Sequence, residues 1–259
     1  MTDRMALLQS VLANPDDDIP RLVYADWLEE FGSDADVARA HFIRAEIEAE
    51  GLPANSPERI EAESTAAKLF NKHGTTWNAE LTNWNAWHDS SFVYRRGFVE
   101  ELRTLSWRFA QEGEEILRAA PITRLKLTIK HSLESNPHTI DLSRIVCLQL
   151  GRNIMLINSV LASLHHHFPT LTNLKSLILT NNELGDSGLS AIRLLPRMRF
   201  ASTLTELDLS DNRITDAGAW LLATAREMSP IVRLNLSGND IGPDAARALR
   251  NRYGDGLTL

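Results

Sequence analysis

Two runs of identical side chains have the chemistry to bind metal ions. Asp16–Asp18 offers carboxylate oxygens, which hard divalent cations prefer. This run lacks the spaced ligands of a calcium loop, and its place just before a predicted helix favours capping of that helix instead. His165–His167 offers imidazole nitrogens, but consecutive helical positions point in different directions and cannot all face one ion. We therefore predict no metal site.

The one cysteine, Cys147, is the remaining candidate nucleophile. If Leu148 and Leu150 point inward from a predicted strand, alternation places Cys147 and Gln149 on the open side of the sheet. Neither a paired base nor an activating charge is evident beside the thiol, so we expect it to be unreactive. The sequence also contains no phosphate-binding glycine loop, nucleophile elbow, HExxH metal motif or kinase signature. It predicts no catalytic residue, no cofactor and no enzyme activity.

Tryptophans cluster between the predicted helices and the predicted sheet, at Trp77, Trp84, Trp87 and Trp107. One interpretation is a small-molecule pocket lined by indole rings. The other, which we favour, is that these rings cover the apolar edge of the first unit of a repeat array. The sequence thus points away from single reactive side chains and towards a scaffold that presents a surface.

A repeated pattern, LxxLxLxxN, defines that scaffold. Complete copies end at Asn182, Asn212 and Asn239, the run IVCLQLGRN ending at Asn153 fits the same template, and a degenerate copy starts at Ile122. This is the leucine-rich repeat signature, and five units exceed the minimum of about three that a stacked array needs. A single unit cannot bury its own apolar face, so the strands must line up side by side.

The second half of each unit supports this register. An apolar residue follows each asparagine by two places and a small residue by six: Leu184 and Gly188, Ile214 and Gly218, Ile241 and Ala245. Intervals of 30 and 27 residues leave room for a helix, which resembles the ribonuclease-inhibitor type of repeat. We predict an α/β fold: a leucine-rich-repeat solenoid with a parallel inner sheet and outer helices, preceded by an α-helical N-terminal module. Each asparagine is expected to bond backbone groups of the turn that leaves its strand.

The concave side of this sheet is the predicted binding surface. Alternation turns the side chains between the inward leucines toward it, basic at one end, neutral in the middle, acidic further on and mixed in the last unit. A partner of complementary charge order would be held there in one register. The alternative is that these are simply solvated strand positions. The residues expected to bind a protein partner are Arg124, Lys126, Gln149, Ile178, Glu206, Asp208, Arg233 and Asn235.

The first 80 residues are predicted to be helical. Apolar faces and stop signals indicate four helices: one ending at Asn14-Pro15, one from Pro20 ending at Gly32, one over about 36–50, and one over about 57–72 with a stop at His73-Gly74. The predicted domains are a helical module over residues 1–80, an aromatic-rich capping segment over 81–120 and the repeats over 121–259.

The N-terminal part resembles a known family. The stretches PDDDIPRLVYADWLEE (15–30), KLFNKHGTTW (68–77) and RRGFVE (95–100), with Phe42-Ile43-Arg44, look like the bacterial repeat-companion domain. That module precedes repeat arrays such as leucine-rich repeats. Similar sequences carry Glu where this chain has His41. The resemblance implies a helical module in a bacterial protein, and it implies no reaction.

Composition and charge narrow the range of partners. No apolar run approaches the roughly 20 residues that span a bilayer, so no membrane partner is expected. Residues 1–80 carry 16 acidic against 7 basic side chains, which makes nucleic acid a poor partner because phosphate binding relies on Lys and Arg. A single cysteine fits a reducing compartment, so we expect a cytoplasmic protein, either a monomer or a weak homo-oligomer. Two alternatives remain open: a regulatory subunit of a separate enzyme, and a self-assembling structural protein.

Overall fold

The structure, a computed structural model, describes residues 3–81, 90–129, 140–151, 168–228 and 230–259. The chain divides into two compact units. The N-terminal unit comprises residues 1–102 and 115–123, and the C-terminal unit comprises residues 103–114 and 124–259.

The described residues form four helices at the N-terminus, followed by a remainder that contains all of the described strands and four further helices. The helices are α1 (Asp3–Ala13), α2 (Ile19–Phe31), α3 (Asp34–Gly51), α4 (Pro57–Leu81), α5 (Ser106–Ala119), α6 (Gly185–Ile192), α7 (Asp216–Thr224) and α8 (Pro243–Tyr253). The strands are β1 (Ser91–Arg95), β2 (Phe98–Leu105), β3 (Arg124–Thr128), β4 (Cys147–Gly151), β5 (Ser176–Ile178), β6 (Glu206–Asp208), β7 (Arg233–Asn235) and β8 (Leu257–Thr258).

The ends of α1 and α2 confirm the local signals that predicted them. α1 ends just before Asn14, and α2 ends just before Gly32. The aspartates before α2 do serve its start, because Asp17 Oδ1 accepts a hydrogen bond from the Ile19 amide at 2.9 Å. Asp18 occupies the N-cap position without a capping bond, since its carboxylate accepts from Arg96 instead, at 3.2 Å.

The predicted stop of the fourth helix at His73-Gly74 is wrong, because α4 continues to Leu81. Gly74 lies against the ring of Phe70, and a Cβ on Gly74 would come within 3.0 Å of that ring. The glycine therefore permits close packing inside the helix and does not end it.

Trp77, one turn beyond Gly74, is 3% exposed and stacks on Phe42 with 5.0 Å between ring centroids. It belongs to a core cluster of the N-terminal unit that also includes Ala45 and Ala66. The structure thus gives Trp77 a place in the core of the N-terminal unit, which the sequence did not predict. Trp84 and Trp87 lie outside the described residues, and Trp107 on α5 is 37% exposed.

In the C-terminal unit, the strands β3 to β8 pair in chain order, and each is parallel to the next. The predicted alignment of the units as neighbouring parallel strands is thus confirmed for the described strands. Their register places one leucine of each strand in a continuous row whose first five members are at most 2% exposed. The row is Leu125, Leu148, Leu177, Leu207, Leu234 and Leu257.

The described signature asparagines bond the turn that leaves their own strand, as expected. They also join their unit to the preceding one, which the sequence did not predict. Asn212 Nδ2 donates to the carbonyl oxygens of Leu179 (2.8 Å) and Ser210 (3.0 Å), and its Oδ1 accepts from the amides of Asn182 (3.0 Å) and Leu184 (3.3 Å). Asn239 repeats this arrangement one unit later, accepting from the amides of residues 212 and 214. Asn153 lies outside the described residues.

The helices that follow the strands are joined by aspartates. Asp186 in the first turn of α6 accepts from the backbone amides of Thr215 (2.9 Å) and Gly218 (3.1 Å) at the start of α7. A Cβ on Gly218 would lie 2.4 Å from Asp186 Oδ1, which explains the small residue at this place in the repeat. Asp216 in turn accepts from the Gly242 amide before α8 at 2.6 Å. These bonds fix the spacing between the starts of consecutive helices in these units.

Candidate functional site

The side chains beside the buried leucine row form two registered rows, which we call together the ladder face. The first row is Arg124, Cys147, Ser176, Glu206 and Arg233. The second row is Lys126, Gln149, Ile178, Asp208, Asn235 and Thr258. All eight residues predicted to bind a partner lie in these rows. Strand alternation was sufficient to place them.

A groove of about 330 Å³ runs along part of the ladder face. Six of the eight predicted residues line it: Arg124, Ile178, Glu206, Asp208, Arg233 and Asn235. Lys126 and Gln149 belong to the second row but do not line the groove. The groove continues to Asp255, Gly256 and Thr258 near the C-terminus, which were not among the residues predicted to bind a partner.

The acidic part of the ladder face is largely compensated by its own neighbours. Arg233 forms an ion pair with Glu206 in the first row. Asp208 in the second row accepts hydrogen bonds from Ser210 Oγ at 2.7 Å and from Asn235 Nδ2 at 3.1 Å. The charge order expected from the sequence is therefore muted, and the most exposed charge of the ion pair is the guanidinium of Arg233, whose side chain is 64% exposed.

The polar side chains of the second row are held in place before any partner binds. Asn235 donates to Asp208, and its Oδ1 accepts from both the amide (3.1 Å) and the hydroxyl (2.9 Å) of Ser237. Asp208 makes the same pair of contacts with Ser210. Groups fixed in this way lose little conformational freedom on binding, which favours affinity. Ile178 is the one apolar side chain among the ladder-face residues of β5, β6 and β7.

Cys147 was predicted to lie on the open side of the sheet, but it is buried, with only 4% of its surface exposed. It lies in the first row between Arg124 and Ser176. Period-2 alternation gave its row correctly but not its burial. Burial away from solvent argues against a reactive thiol.

No group of three or more acidic, histidine or cysteine side chains is placed to hold a metal ion within the part of the chain that the structure describes. Asp17 and Asp18 have the structural partners given above. The histidine run His165–His167 lies outside the described residues.

Sequence reasoning missed a buried ion network in the N-terminal unit. Arg21, fully buried, donates to Glu100 Oε1 (2.7 Å) and to the Pro15 carbonyl oxygen (2.7 Å). Arg96 donates to the same Glu100 oxygen at 2.8 Å and to the Pro15 carbonyl oxygen at 2.9 Å. The network joins two of the stretches that carry the family resemblance, residues 15–30 and 95–100. The only sequence signal that pointed to this ion network was that both stretches belong to the same family resemblance.

Glycine supports the hairpin turn beside this network. Gly97 has a φ of +81°, and a Cβ on it would lie 2.3 Å from Cγ1 of Ile43. Its amide donates to Glu46 Oε2 at 2.9 Å. Burial raises the pKa of Glu46 above its usual value, despite that hydrogen bond. This part of the protein is built for close packing.

A parallel strand, an asparagine-stabilised turn and a helix, repeated in register, define a repeat protein built on one strand–helix unit. Comparison with protein families identifies the unit: a family model described as "Leucine Rich repeat" matches residues 170–192, 201–223 and 228–249. The chain therefore carries leucine-rich repeats, which are generally protein-interaction modules and typically non-enzymatic. A comparison with curated proteins found no match. Within the described residues, no helix is both long and apolar enough to cross a membrane.

Proposed function

We propose that this chain is a non-catalytic protein-binding protein whose partner lies along the ladder face. The observation that carries the proposal is the groove in which Ile178 lies among oriented polar side chains and exposed charge. Parallel strands set these side chains at fixed spacing, so a partner meets a regular surface and not a flexible loop. Binding energy at such interfaces comes from a few anchors and not from area alone.

The finer architecture belongs to the same proposal. We infer a solenoid of five units over residues 121–259, preceded by a capping segment and a helical module over residues 1–80 that resembles the bacterial repeat-companion domain. The single cysteine supports a cytoplasmic location. The acidic excess of the first 80 residues supports a protein partner over nucleic acid.

Charge swapping on the ladder face tests the proposal. The double substitution Glu206→Arg with Arg233→Glu keeps an ion pair but inverts its direction on the ladder face. The matched control inverts the Asp244–Arg247 pair on α8, whose side chains are 77% and 71% exposed. Proteins captured from the native cytoplasm by the tagged full chain would be identified, purified and titrated by calorimetry against each variant.

The ladder-face swap should raise the dissociation constant about tenfold or more, because the inverted charges now repel the partner's charges that they attracted before. Ile178→Ala should raise the dissociation constant by about five- to thirtyfold, the usual loss of affinity at a central anchor. The α8 control should bind like the wild type. Unchanged binding in both ladder-face variants would refute the proposal, and a captured enzyme whose turnover changes on adding the chain would favour the regulatory-subunit alternative.

A further inference from the structure

A cavity of about 520 Å³ lies within the N-terminal unit. Its volume is in the range of sites that hold small molecules. Aromatic rings and arginine side chains make up much of its wall, and the residues that matter here are Tyr24, Arg39, Trp77, Phe98, Glu115 and Arg118.

The guanidinium of Arg39 is surrounded by aromatic rings. Its Cζ lies 4.7 Å from the ring centroid of Trp77, 5.1 Å from that of Tyr94, and 5.7 Å from those of Phe42 and Phe98. Such contacts attract the cation to the faces of the rings. These contacts do not use the N–H donors at the edge of the guanidinium plane.

Arg39 has no hydrogen-bond acceptor and no ion pair among the residues that the structure describes. The carboxylate that acts on it electrostatically, Glu46, accepts its hydrogen bond from the Gly97 amide instead. Other arginines of the same unit differ, since Arg21 and Arg44 donate to carboxylates at 2.7 Å. A half-buried guanidinium has five donors and normally has acceptors for several of them.

We propose that this cavity binds a small carboxylate that carries a flat apolar group. Arg39 would donate two parallel hydrogen bonds to the carboxylate, because the planar guanidinium fork matches that geometry. Trp77, Tyr24 and Phe98 would contact the apolar group. The single positive charge of Arg39 matches the one negative charge of a carboxylate better than the two of a phosphate dianion. The exposed Arg118 adds positive charge at the rim, opposed there by Glu115.

Benzoate is the probe for this proposal, and benzamide is its neutral counterpart of similar shape. Calorimetric titration of the full chain near pH 7 should show benzoate binding with a dissociation constant on the order of 1 mM. Benzamide should bind about tenfold more weakly or worse, because it lacks the charge that strengthens the hydrogen bonds. Tighter binding of phenyl phosphate than of benzoate would overturn the assignment to a carboxylate.

Three variants separate binding from folding. Arg39→Gln should weaken benzoate binding by about tenfold or more. Ala119→Phe fills the cavity wall without removing any ring or donor around Arg39 and should also abolish binding. Arg59→Gln, the control, removes an exposed ion pair with Glu63 outside this cavity and should bind like the wild type. No benzoate binding by the wild type, or wild-type binding in a folded Ala119→Phe variant, would overturn the proposal. The Glu206/Arg233 swap should leave benzoate binding unchanged, so this test is independent of the ladder face.

Discussion

At Asn212, one side chain satisfies four backbone groups of its own and neighbouring units. Asn182 and Asn212 are both fully buried, so none of these groups can turn to water if the amide is removed. Leaving a buried donor or acceptor without a partner costs about 1–3 kcal/mol. Asn212→Ala should therefore lower the free energy of unfolding by about 2–4 kcal/mol, measured by urea denaturation with an unchanged m-value.

Asn239 provides the matched control for that experiment. It donates to the carbonyl oxygens of Leu209 and Leu236 and accepts from the amides of residues 212 and 214 in the preceding unit, but it is only half-buried. Water can replace some of the hydrogen bonds of the Asn239 amide, so Asn239→Ala should lower the free energy of unfolding clearly less than Asn212→Ala. Equal losses for the two substitutions would show that the asparagines stabilise the fold in some other way.

Single residues differ in how far the sequence could predict them. The asparagines were predictable because their spacing coincides with the leucine spacing, so position and role come together. The burial of Cys147 was not, because strand alternation predicts the side of the sheet on which a side chain lies and not how far it is covered. The contact of Arg21 with Glu100 joins residues 79 apart in sequence, and no local pattern encodes it.

At the scale of elements, Asp186 couples α6 to the start of α7. Burial acts to raise the pKa of Asp186, but hydrogen bonds from Thr215 and Gly218 outweigh it, and the net pKa lies below the usual value for aspartate. A folded-state pKa below the unfolded one gives stability that is present above the unfolded pKa and is lost as the pH falls through the folded pKa. The ionised carboxylate also lies near the positive end of the α7 dipole.

Asp186→Asn should therefore be less stable than the wild type near pH 7, by up to about 1 kcal/mol, the usual size of a charged helix cap. The difference should shrink as the pH falls below the unfolded pKa of about 4. Thermal unfolding across that range checks both statements. Thr215→Val, which removes the hydroxyl donor at 2.6 Å from Asp186 Oδ2, should reduce the same pH dependence. A difference that stays constant with pH would exclude the charge as its cause.

The elements themselves were predictable wherever local chemistry decides them. α1 and α2 end where Asn14-Pro15 and Gly32 interrupt the pattern, and leucine alternation gave the parallel strands. The end of α4 was not predictable, because Gly74 makes room for the ring of Phe70 inside the helix and does not act as a helix stop. Strand alternation predicted six residues of the groove, but not Asp255, Gly256 and Thr258. The ion pair within the groove depends on which side chains face each other across β6 and β7.

At the scale of the whole molecule, the ladder of described parallel strands extends to β8, which comprises Leu257 and Thr258. β8 pairs with β7 through Leu257 and Thr258, and the Leu236 amide donates to the Thr258 carbonyl at 2.8 Å. This pairing makes the self-assembly alternative testable.

Truncation after Gly256 removes Leu257, Thr258 and Leu259 and should expose the edge of β7. The Leu236 amide then loses its acceptor, and Leu234, now 1% exposed, loses its neighbour in the leucine row. We expect a loss of about 1–3 kcal/mol of stability and more concentration-dependent association in light scattering, because a bare strand edge is a template for pairing. Removal of Leu259 alone, a residue 40% exposed and outside β8, is the control and should change neither. Self-assembly through β8 predicts the reverse, a truncated chain that associates less than the wild type.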